Sequence, residues 1–291
     1  MVQGGEVDSV RIITLLDDYA GFETSFYAQH GLALLLEVCS GGKCRRILLD
    51  AGQDAAPILH NMEILGIGPG SIDAVFLSHC HYDHTGGLVG VLSAIGREIP
   101  VIAHPAVFRD NYTFKPFLRN IGVTLENSQE AVKAAGGQLF LTGEPFAIMP
   151  GVFSTGEVPR RIDFEDQGIG TYNLEDGHIT PDPLRDDMSL VVNVTGRGLV
   201  ILSGCGHAGI INIVNHAREI TGIQKVAVVM GGFHLIGASE ERIGKTAAAL
   251  DRDIGRVIPG HCTGLAAYSE FSRTLGDRFD SLHVGKIVSV P

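Results

Sequence analysis

The sequence predicts an α/β fold in which two β-sheets pack face to face with helices outside them. Three observations predict it. Short apolar runs rich in leucine and β-branched residues recur along the 291 residues, helical patterns lie between them, and both halves of the chain contain the same mixture of elements. No tandem repeat or linker rich in proline and serine separates the halves, so we expect one domain spanning residues 1–291.

The first half contains five strand-length runs, several of them too continuously apolar to have a solvent face. The predicted strands span residues 10–16, 32–38, 45–52, 73–79 and 100–104. Between them, residues 56–66 and 86–96 have apolar side chains three and four positions apart and end at glycine, which is typical of helices.

The second half repeats this order from Gly136, with predicted helices over residues 210–221 and 239–250. Residues 157–187 interrupt it with a charged segment rich in glycine and proline. Such a segment exceeds the usual loop length, so we expect an irregular rim or lid beside a functional site.

Charge and cysteine content exclude several classes of protein. A net charge of -11 with no basic run disfavours nucleic acid as a partner. The chain has neither a membrane-spanning apolar run nor a signal-peptide pattern, which predicts a cytoplasmic protein that does not bind membranes. Five dispersed cysteines argue against disulfides, and Cys39 and Cys44 are interpreted as two incidental thiols flanking a hairpin turn.

The segment SHCHYDHTGGL, residues 78–88, is the strongest chemical signal. Alternation along the strand places His79 and His81 on one side, and the following turn brings Asp83 and His84 near them. Four such groups exceed the three protein ligands that a catalytic zinc ion usually takes. The segment therefore predicts two divalent metal ions, zinc first and manganese or iron as alternatives.

Three later apolar strands also end in histidine, at His207, His234 and His261, beside glycine-rich turns that let the backbone approach an ion. We predict His207 and His261 as ligands. His234 remains open among a ligand, a substrate contact and a structural residue. The other histidines have no such context and are expected to be structural: His30, His60, His104, His178, His216 and His283.

The HxHxDH pattern, which follows a strand and precedes TGG, resembles the signature of the metallo-β-lactamase superfamily. The resemblance implies an αββα four-layer sandwich. It implies that His79 and His81 bind one ion while Asp83 and His84 bind the other. It also implies that Asp50, in LLDAG, supports the ligand loop rather than binding metal.

The chain departs from the superfamily pattern in one respect. No GHTxG element precedes residues 189–194, and Cys205 aligns with the usual bridging aspartate. Either Cys205 binds as a thiolate and His207 replaces the missing histidine, or His207 alone is a ligand and Cys205 packs beside it. The predicted ligand set is His79, His81, Asp83, His84, Cys205, His207 and His261.

Further segments, including TGEVPRRIDFE at 155–165 and SGCGHAGIINI at 203–213, resemble the branch of 7,8-dihydropterin-6-yl-methyl-4-(β-D-ribofuranosyl)aminobenzene 5'-phosphate synthases. Arg160 and Arg161 lie in this pattern beside the long rim segment. We predict that they bind a substrate phosphate or carboxylate, the alternative being a solvated surface pair.

The main functional hypothesis is a binuclear metal-dependent hydrolase that attacks a small anionic substrate, phosphorylated or pterin-like, through a metal-bound hydroxide. Asp83 would orient or deprotonate the nucleophile, and His234 would donate to the leaving group. The resemblance implies one alternative, a synthase that condenses a pterin diphosphate with an aminobenzene ribotide. A non-hydrolytic metal protein with a redox or sensor role is the alternative from another class.

Overall fold

The computed structural model describes residues 4–165 and 170–291. A seven-stranded sheet, here called the first sheet, takes most of its strands from the first half of the chain. They are β1 (Ser9–Leu16), β2 (Ala33–Ser40), β3 (Lys43–Leu49), β4 (Ala74–Phe76), β5 (Ile99–Ala103), β8 (Gly137–Leu141) and β17 (Ile287–Val290). Strands β3, β4, β5 and β8 run parallel, so their carboxyl ends share one edge of the sheet.

The second sheet has six strands from the second half of the chain. They are β9 (Phe146–Met149), β10 (Val152–Ser154), β13 (Ser189–Val194), β14 (Gly198–Ser203), β15 (Val226–Gly232) and β16 (Ile254–Gly260). Strands β14, β15 and β16 are parallel neighbours. Their carboxyl ends lead into the turns that carry the later cysteine and histidine residues of the predicted site.

Seven α-helices accompany the sheets. They are α1 (Ala55–Ile64), α2 (Tyr82–Thr85), α3 (Leu88–Ile95), α4 (Gln129–Ala134), α5 (Ile210–Thr221), α6 (Glu240–Leu250) and α7 (Leu265–Leu275). The predicted helix over 86–96 starts two residues late, because Gly86 and Gly87 form the turn that precedes it. No helix in the described part of the chain has the length and apolar character needed to cross a bilayer.

Three hydrophobic cores define four layers. Side chains such as Leu34 and Leu190 meet between the two sheets. The outer face of the first sheet packs against α1 and α3 through residues such as Ile58, and the outer face of the second packs against α5, α6 and α7 through residues such as Phe271. Both faces of each sheet are thus covered, which explains the continuously apolar strands. The predicted αββα sandwich is confirmed.

A small third sheet, which the sequence did not predict, lies outside the sandwich. Its strands are β6 (Tyr112–Thr113), β7 (Arg119–Asn120), β11 (Thr171–Glu175) and β12 (His178–Pro181). Because β11 and β12 form a hairpin inside residues 157–187, the expectation that this segment is irregular is wrong for that part. Residues 166–169 of the segment lie outside the described residues.

The hairpin of β2 and β3 corrects the expectation about the cysteines. Cys39 and Cys44 face each other across the antiparallel pair, with their Cα atoms 4.1 Å apart, and they form a disulfide. The predicted turn is therefore correct, but the two thiols are not free. Directly opposed residues lie close enough for such a bond, which the sequence spacing alone did not reveal. Cys80, Cys205 and Cys262 are free and buried.

Candidate metal centre

The histidine-rich loop leaves the first sheet after β4 and enters the short helix α2. Its turn depends on Gly86 and Gly87. A Cβ atom at Gly87 would lie 2.2 Å from the carbonyl oxygen of Ala51, and one at Gly86 would lie 2.3 Å from that of Gln53. Only glycine permits this approach, so the TGG element fixes the loop against the turn after β3.

Three imidazoles converge on one point. The Nε2 atom of His79 lies 3.1 Å from Nδ1 of His81 and 3.2 Å from Nε2 of His207. His207 follows β14 in the second sheet, so this group joins the two sheets at the edge where their strands end.

A second group forms beside the first. The Nε2 atoms of His84 and His261 are 3.2 Å apart, and Oδ2 of Asp83 lies 3.5 Å from the former and 3.2 Å from the latter. All three side chains are buried. The predicted pairing of Asp83 with His84 is thus present, and His261 completes it from the end of β16.

Cys205 lies where the two groups meet. Its Sγ atom is 3.3 Å from Nε2 of His84 and also lies within 4.8 Å of the donor atoms of His79 and His207. The preceding Gly204 allows this position, because a Cβ there would lie 2.0 Å from Oγ of Ser78. Of the two alternatives for Cys205, this geometry favours the one in which its sulfur is a donor. The seven residues His79, His81, Asp83, His84, Cys205, His207 and His261 are called the metal cluster below.

Hydrogen bonds to Asp50 orient two of the imidazoles. Its Oδ2 atom accepts from Nδ1 of His84 at 2.7 Å and from Oγ of Ser78 at 2.7 Å, and Ser78 Oγ in turn accepts from Nδ1 of His79 at 2.9 Å. The prediction that Asp50 supports the ligand loop is confirmed by these contacts. In both His79 and His84, Nδ1 therefore carries the proton, and Nε2, which faces the other donor atoms, presents a lone pair.

The other two orienting contacts follow the same rule. Nε2 of His81 donates to Oδ1 of Asn111 at 3.1 Å, and Nδ1 of His261 donates to Oδ2 of Asp18 at 2.5 Å. Nε2 of His79 and Nδ1 of His81, both without a proton in this arrangement, lie only 3.1 Å apart and repel one another unless a cation lies between them. The donor set, which combines nitrogen, oxygen and sulfur, thus fits divalent metal ions.

The protonation states of His79, His207 and Asp83 agree with this arrangement. Burial and the neighbouring histidines lower the pKa values of His79 and His207 well below the usual value, so both rings are neutral. Burial acts to raise the pKa of Asp83, but His84 and His261 together hold it well below its usual range. Neutral imidazoles beside an ionised carboxylate are the forms that bind metal. His261 differs: burial acts to lower its pKa, but Cys262, Asp18 and Asp83 raise it well above the usual value, so a metal ion bound there would displace a proton.

Backbone strain is also concentrated here. Asp50, His234 and His261 have positive φ angles of 60°, 43° and 49°. Non-glycine residues rarely adopt this conformation, and it is retained mainly where the surrounding structure imposes it at a functional site.

A pocket of about 270 Å³ opens onto the metal cluster. His81, Asp83, Cys205, His207 and His261 form its floor. Its outer side is formed by the third sheet and the loop between β6 and β7, through four residues that are called the cationic wall below: Thr113, Lys115, Arg119 and Thr171.

Comparison with known proteins agrees with the site. Residues 45–151 match the model of the beta-lactamase superfamily domain. Over 98% of both chains, the sequence is 43% identical to the 7,8-dihydropterin-6-methyl-4-(beta-D-ribofuranosyl)-aminobenzene-5'-phosphate synthase of Methanocaldococcus jannaschii. The chain belongs to the metallo-β-lactamase superfamily.

Two further relatives span the chain. An uncharacterised protein of Methanocaldococcus jannaschii, MJ0448, is 33% identical, with 96% of this chain and 100% of that protein aligned. The crystal structure of Tm1679, a metal-dependent hydrolase of the beta-lactamase superfamily, superposes with a TM-score of 0.80 at 27% identity and covers 97% of this chain and 99% of its own. The named relatives of this superfamily member thus include both a synthase and a hydrolase.

His234 lies in the pocket wall beside the metal cluster. Its ring centroid is 4.2 Å from that of His207, and its backbone N–H donates to Sγ of Cys262 at 3.3 Å. Its Nδ1 atom is buried without a hydrogen-bond partner among the described residues. The position suits a substrate contact. A ring nitrogen of His234 also lies within 4.8 Å of the sulfur atoms of Cys205 and Cys262, so the ligand alternative stays open.

The two arginines predicted to bind substrate do not lie in this pocket. The Arg160 guanidinium donates to the backbone carbonyls of His207, at 2.9 Å, and Pro183. Arg161 pairs with Glu219 at 2.8 Å on the surface. Because the donors of Arg160 fix the backbone around His207 and Arg161 points to solvent, the expected phosphate contact has no support from the geometry of either residue.

His30 was expected to be structural, yet it lines the pocket. Its Nδ1 atom lies 2.8 Å from Oδ1 of Asp18, and its Nε2 atom lies 3.3 Å from Oδ2 of Asp83. Asp18 thus contacts both His30 and His261. The only sequence signal was the polar loop after β1, which carries no strand-end histidine motif, so sequence reasoning missed the pair.

Proposed function

We propose that this protein is a metal-dependent synthase that joins a pterin diphosphate to an aminobenzene ribotide, forming the compound named in its Methanocaldococcus jannaschii relative. The observation that carries the proposal is the 43% identity over 98% of both chains. The sequence-based hypothesis placed hydrolysis first, and this relationship favours the synthase instead.

The reaction is a substitution at carbon. The amine nitrogen of the ribotide forms a bond to the methylene carbon on the pterin, the bond from that carbon to the diphosphate oxygen breaks, and the amine releases one proton. Diphosphate leaves with the electron pair. The main catalytic demand is therefore to stabilise the negative charge that develops on the leaving group.

Two groups of side chains would hold the metal ions. His79, His81 and His207 would hold one, Asp83, His84 and His261 would hold the other, and Cys205 adjoins both. When bound, two divalent ions supply positive charge that stabilises the departing diphosphate. A donor set that includes a thiol favours zinc over manganese or magnesium.

The chain's own groups would align the substrates and move the proton. His234, beside His207, can accept the amine proton at Nδ1, the atom without a partner among the described residues. Asp83, held ionised by His84 and His261, would orient the amine through its carboxylate.

The test is an incubation of the zinc-loaded protein with both substrates, followed by mass spectrometry of the product and assay of diphosphate. Equal amounts of condensed product and diphosphate are expected. Release of phosphate or diphosphate from the pterin substrate alone, without condensed product, would overturn the proposal.

A second candidate is hydrolysis of a small anionic substrate. The superposition on Tm1679, a metal-dependent hydrolase, supports the type of reaction. The same metal cluster would then activate water. A panel of a phosphodiester, a phosphomonoester, a lactone, a thioester and a β-lactam separates the two functions. Rapid turnover of one member, together with no condensation, would favour the hydrolase.

A further inference from the structure

The third sheet presents two chemically different faces. Alternation along its strands directs Thr113 and Thr171 toward the pocket and Tyr112 and Tyr172 away from it. The outer face is apolar, with Leu174 as a further member. The pocket face instead carries hydroxyl groups and two cations, which apolar packing does not explain.

The two cations of the cationic wall are Lys115 and Arg119. Neither forms an ion pair with any carboxylate within residues 4–165 and 170–291. Some other arginines are paired with carboxylates; Arg109, for example, contacts Asp182 at 2.8 Å and Asp186 at 2.7 Å. In a chain of net charge -11, two cations without such partners at the mouth of one pocket form a local positive field.

Thr171 supplies an independent observation. It is 7% exposed, it lines the pocket, and its Oγ1 atom has no hydrogen-bond partner in the described part of the chain. A buried hydroxyl normally has a partner. Thr171 pairs with Thr113, which pairs with Arg119, so a hydroxyl without a partner among the described residues lies in the same cross-strand row as one of the two cations.

We propose that Lys115 and Arg119, with Thr171, bind the phosphate monoester of the ribotide, at the side of the pocket away from the metal ions. This assignment rests on the proposed function, in which the diphosphate of the other substrate would bind at the metal cluster. The 5'-phosphate of the ribotide then needs separate cations, and this wall provides them. Arginine supplies paired donors and lysine a point charge, a combination suited to a phosphate dianion.

The test uses ribose 5-phosphate and ribose as probes with the zinc-loaded protein, by isothermal titration calorimetry. Lys115→Gln and Arg119→Gln should each weaken ribose 5-phosphate binding about 10-fold, and the double substitution about 100-fold, while any binding of ribose is unchanged. Arg119→Lys should restore part of the affinity. Lys133→Gln, which removes a charge from helix α4, is the matched control and should bind like the unmodified protein.

Turnover then identifies which substrate uses the wall. The KM for the ribotide should rise about 10-fold in each single variant, with kcat and the KM for the pterin diphosphate nearly unchanged. A rise confined to the pterin diphosphate would overturn the assignment to the ribotide phosphate. Equal ribose 5-phosphate binding by all variants, or none by the unmodified protein, would overturn the subsite itself.

The two proposals fail separately. Loss of ribose 5-phosphate binding in the variants, with no condensation by the unmodified protein, supports the phosphate subsite and rejects only the synthase. Condensation that is unaffected by both substitutions supports the synthase and rejects the subsite.

Discussion

The metal cluster and the cationic wall face each other across one pocket but are built in opposite ways. The cluster is buried, its side chains follow strands of the two main sheets, and hydrogen bonds to residues such as Asp50 and Asn111 fix its rings. Lys115 and Arg119 are exposed; Arg119 lies on β7 of the small sheet outside the sandwich, and Lys115 lies in the loop between β6 and β7. Rigid support suits groups that must hold ions in place, whereas an outer wall can differ between substrates without disturbing the fold.

The largest expected loss of activity comes from a substitution in the metal cluster itself. His81→Ala removes a donor from the three-imidazole group, and we expect product formation to fall at least about 1,000-fold. Circular dichroism should show an unchanged fold, because the substitution removes no large apolar side chain. His60→Ala, whose ring stacks on Tyr27 away from the pocket, is the control. Unchanged turnover in a folded His81→Ala protein would remove the cluster from the mechanism.

Asp50→Asn tests whether metal binding depends on the hydrogen bonds that orient the ligands as well as on the ligands themselves. Asparagine keeps the size of the side chain but weakens the bonds that orient His84 and Ser78. We expect metal affinity to fall about 10- to 100-fold, measured by competition with a chelator. Asp277→Asn, at an exposed site, should have no effect. Equal affinity in both variants would show that the cluster does not need its outer hydrogen bonds.

Cys205→Ser distinguishes a sulfur donor from a packing residue. A hydroxyl replaces the thiol with little change in size, so a packing residue would tolerate it. If the sulfur binds metal, zinc affinity should fall about 10-fold more than manganese affinity, because thiolate prefers zinc. A constant ratio of the two affinities would exclude Cys205 as a ligand.

The smallest effect concerns Asp187, which accepts a hydrogen bond from the backbone N–H of Ala208 at 2.7 Å beside the cluster. Burial raises its pKa from 3.8 to about 7. The folded metal-free protein then holds a proton that the unfolded chain has lost, so the contribution of Asp187 to stability falls as pH rises from about 4 to about 7.

Asp187→Asn removes this titration and keeps an acceptor for Ala208. The free energy of unfolding of the metal-free variant, relative to the unmodified protein, should therefore increase from about pH 4 to about pH 7 and level off above it. Urea titrations at several pH values measure the difference. A difference independent of pH would contradict the raised pKa.

The contrast between the metal cluster and the cationic wall also explains what the sequence could predict. Continuously apolar strands predicted the layers, because both faces of each sheet are covered. The dense spacing of His79, His81, Asp83 and His84 identified them as candidate metal ligands from a single segment. The positions of His207 and His261 just after apolar strands identified these two as well.

The remaining site residues lacked such signals. Lys115 and Arg119 occur in a short stretch of mixed character without strand or helix periodicity, and only the pairing of β6 with β11, a strand far along the chain, brings them over the pocket. His30 follows no apolar strand, and Asp18 connects it to His261 only after the chain has folded. Long-range pairing of this kind leaves no local pattern.

The metal cluster also has a consequence for biosynthesis. Its donors span positions 79 to 261, and each group combines residues that follow strands of both sheets. A ribosome-bound chain that ends before Cys205 carries only the four donors of the first loop, and neither group is complete. High-affinity metal uptake is therefore expected after synthesis of the chain, as one of the last steps in reaching the active state, and the bound ions then stabilise the association of the two halves.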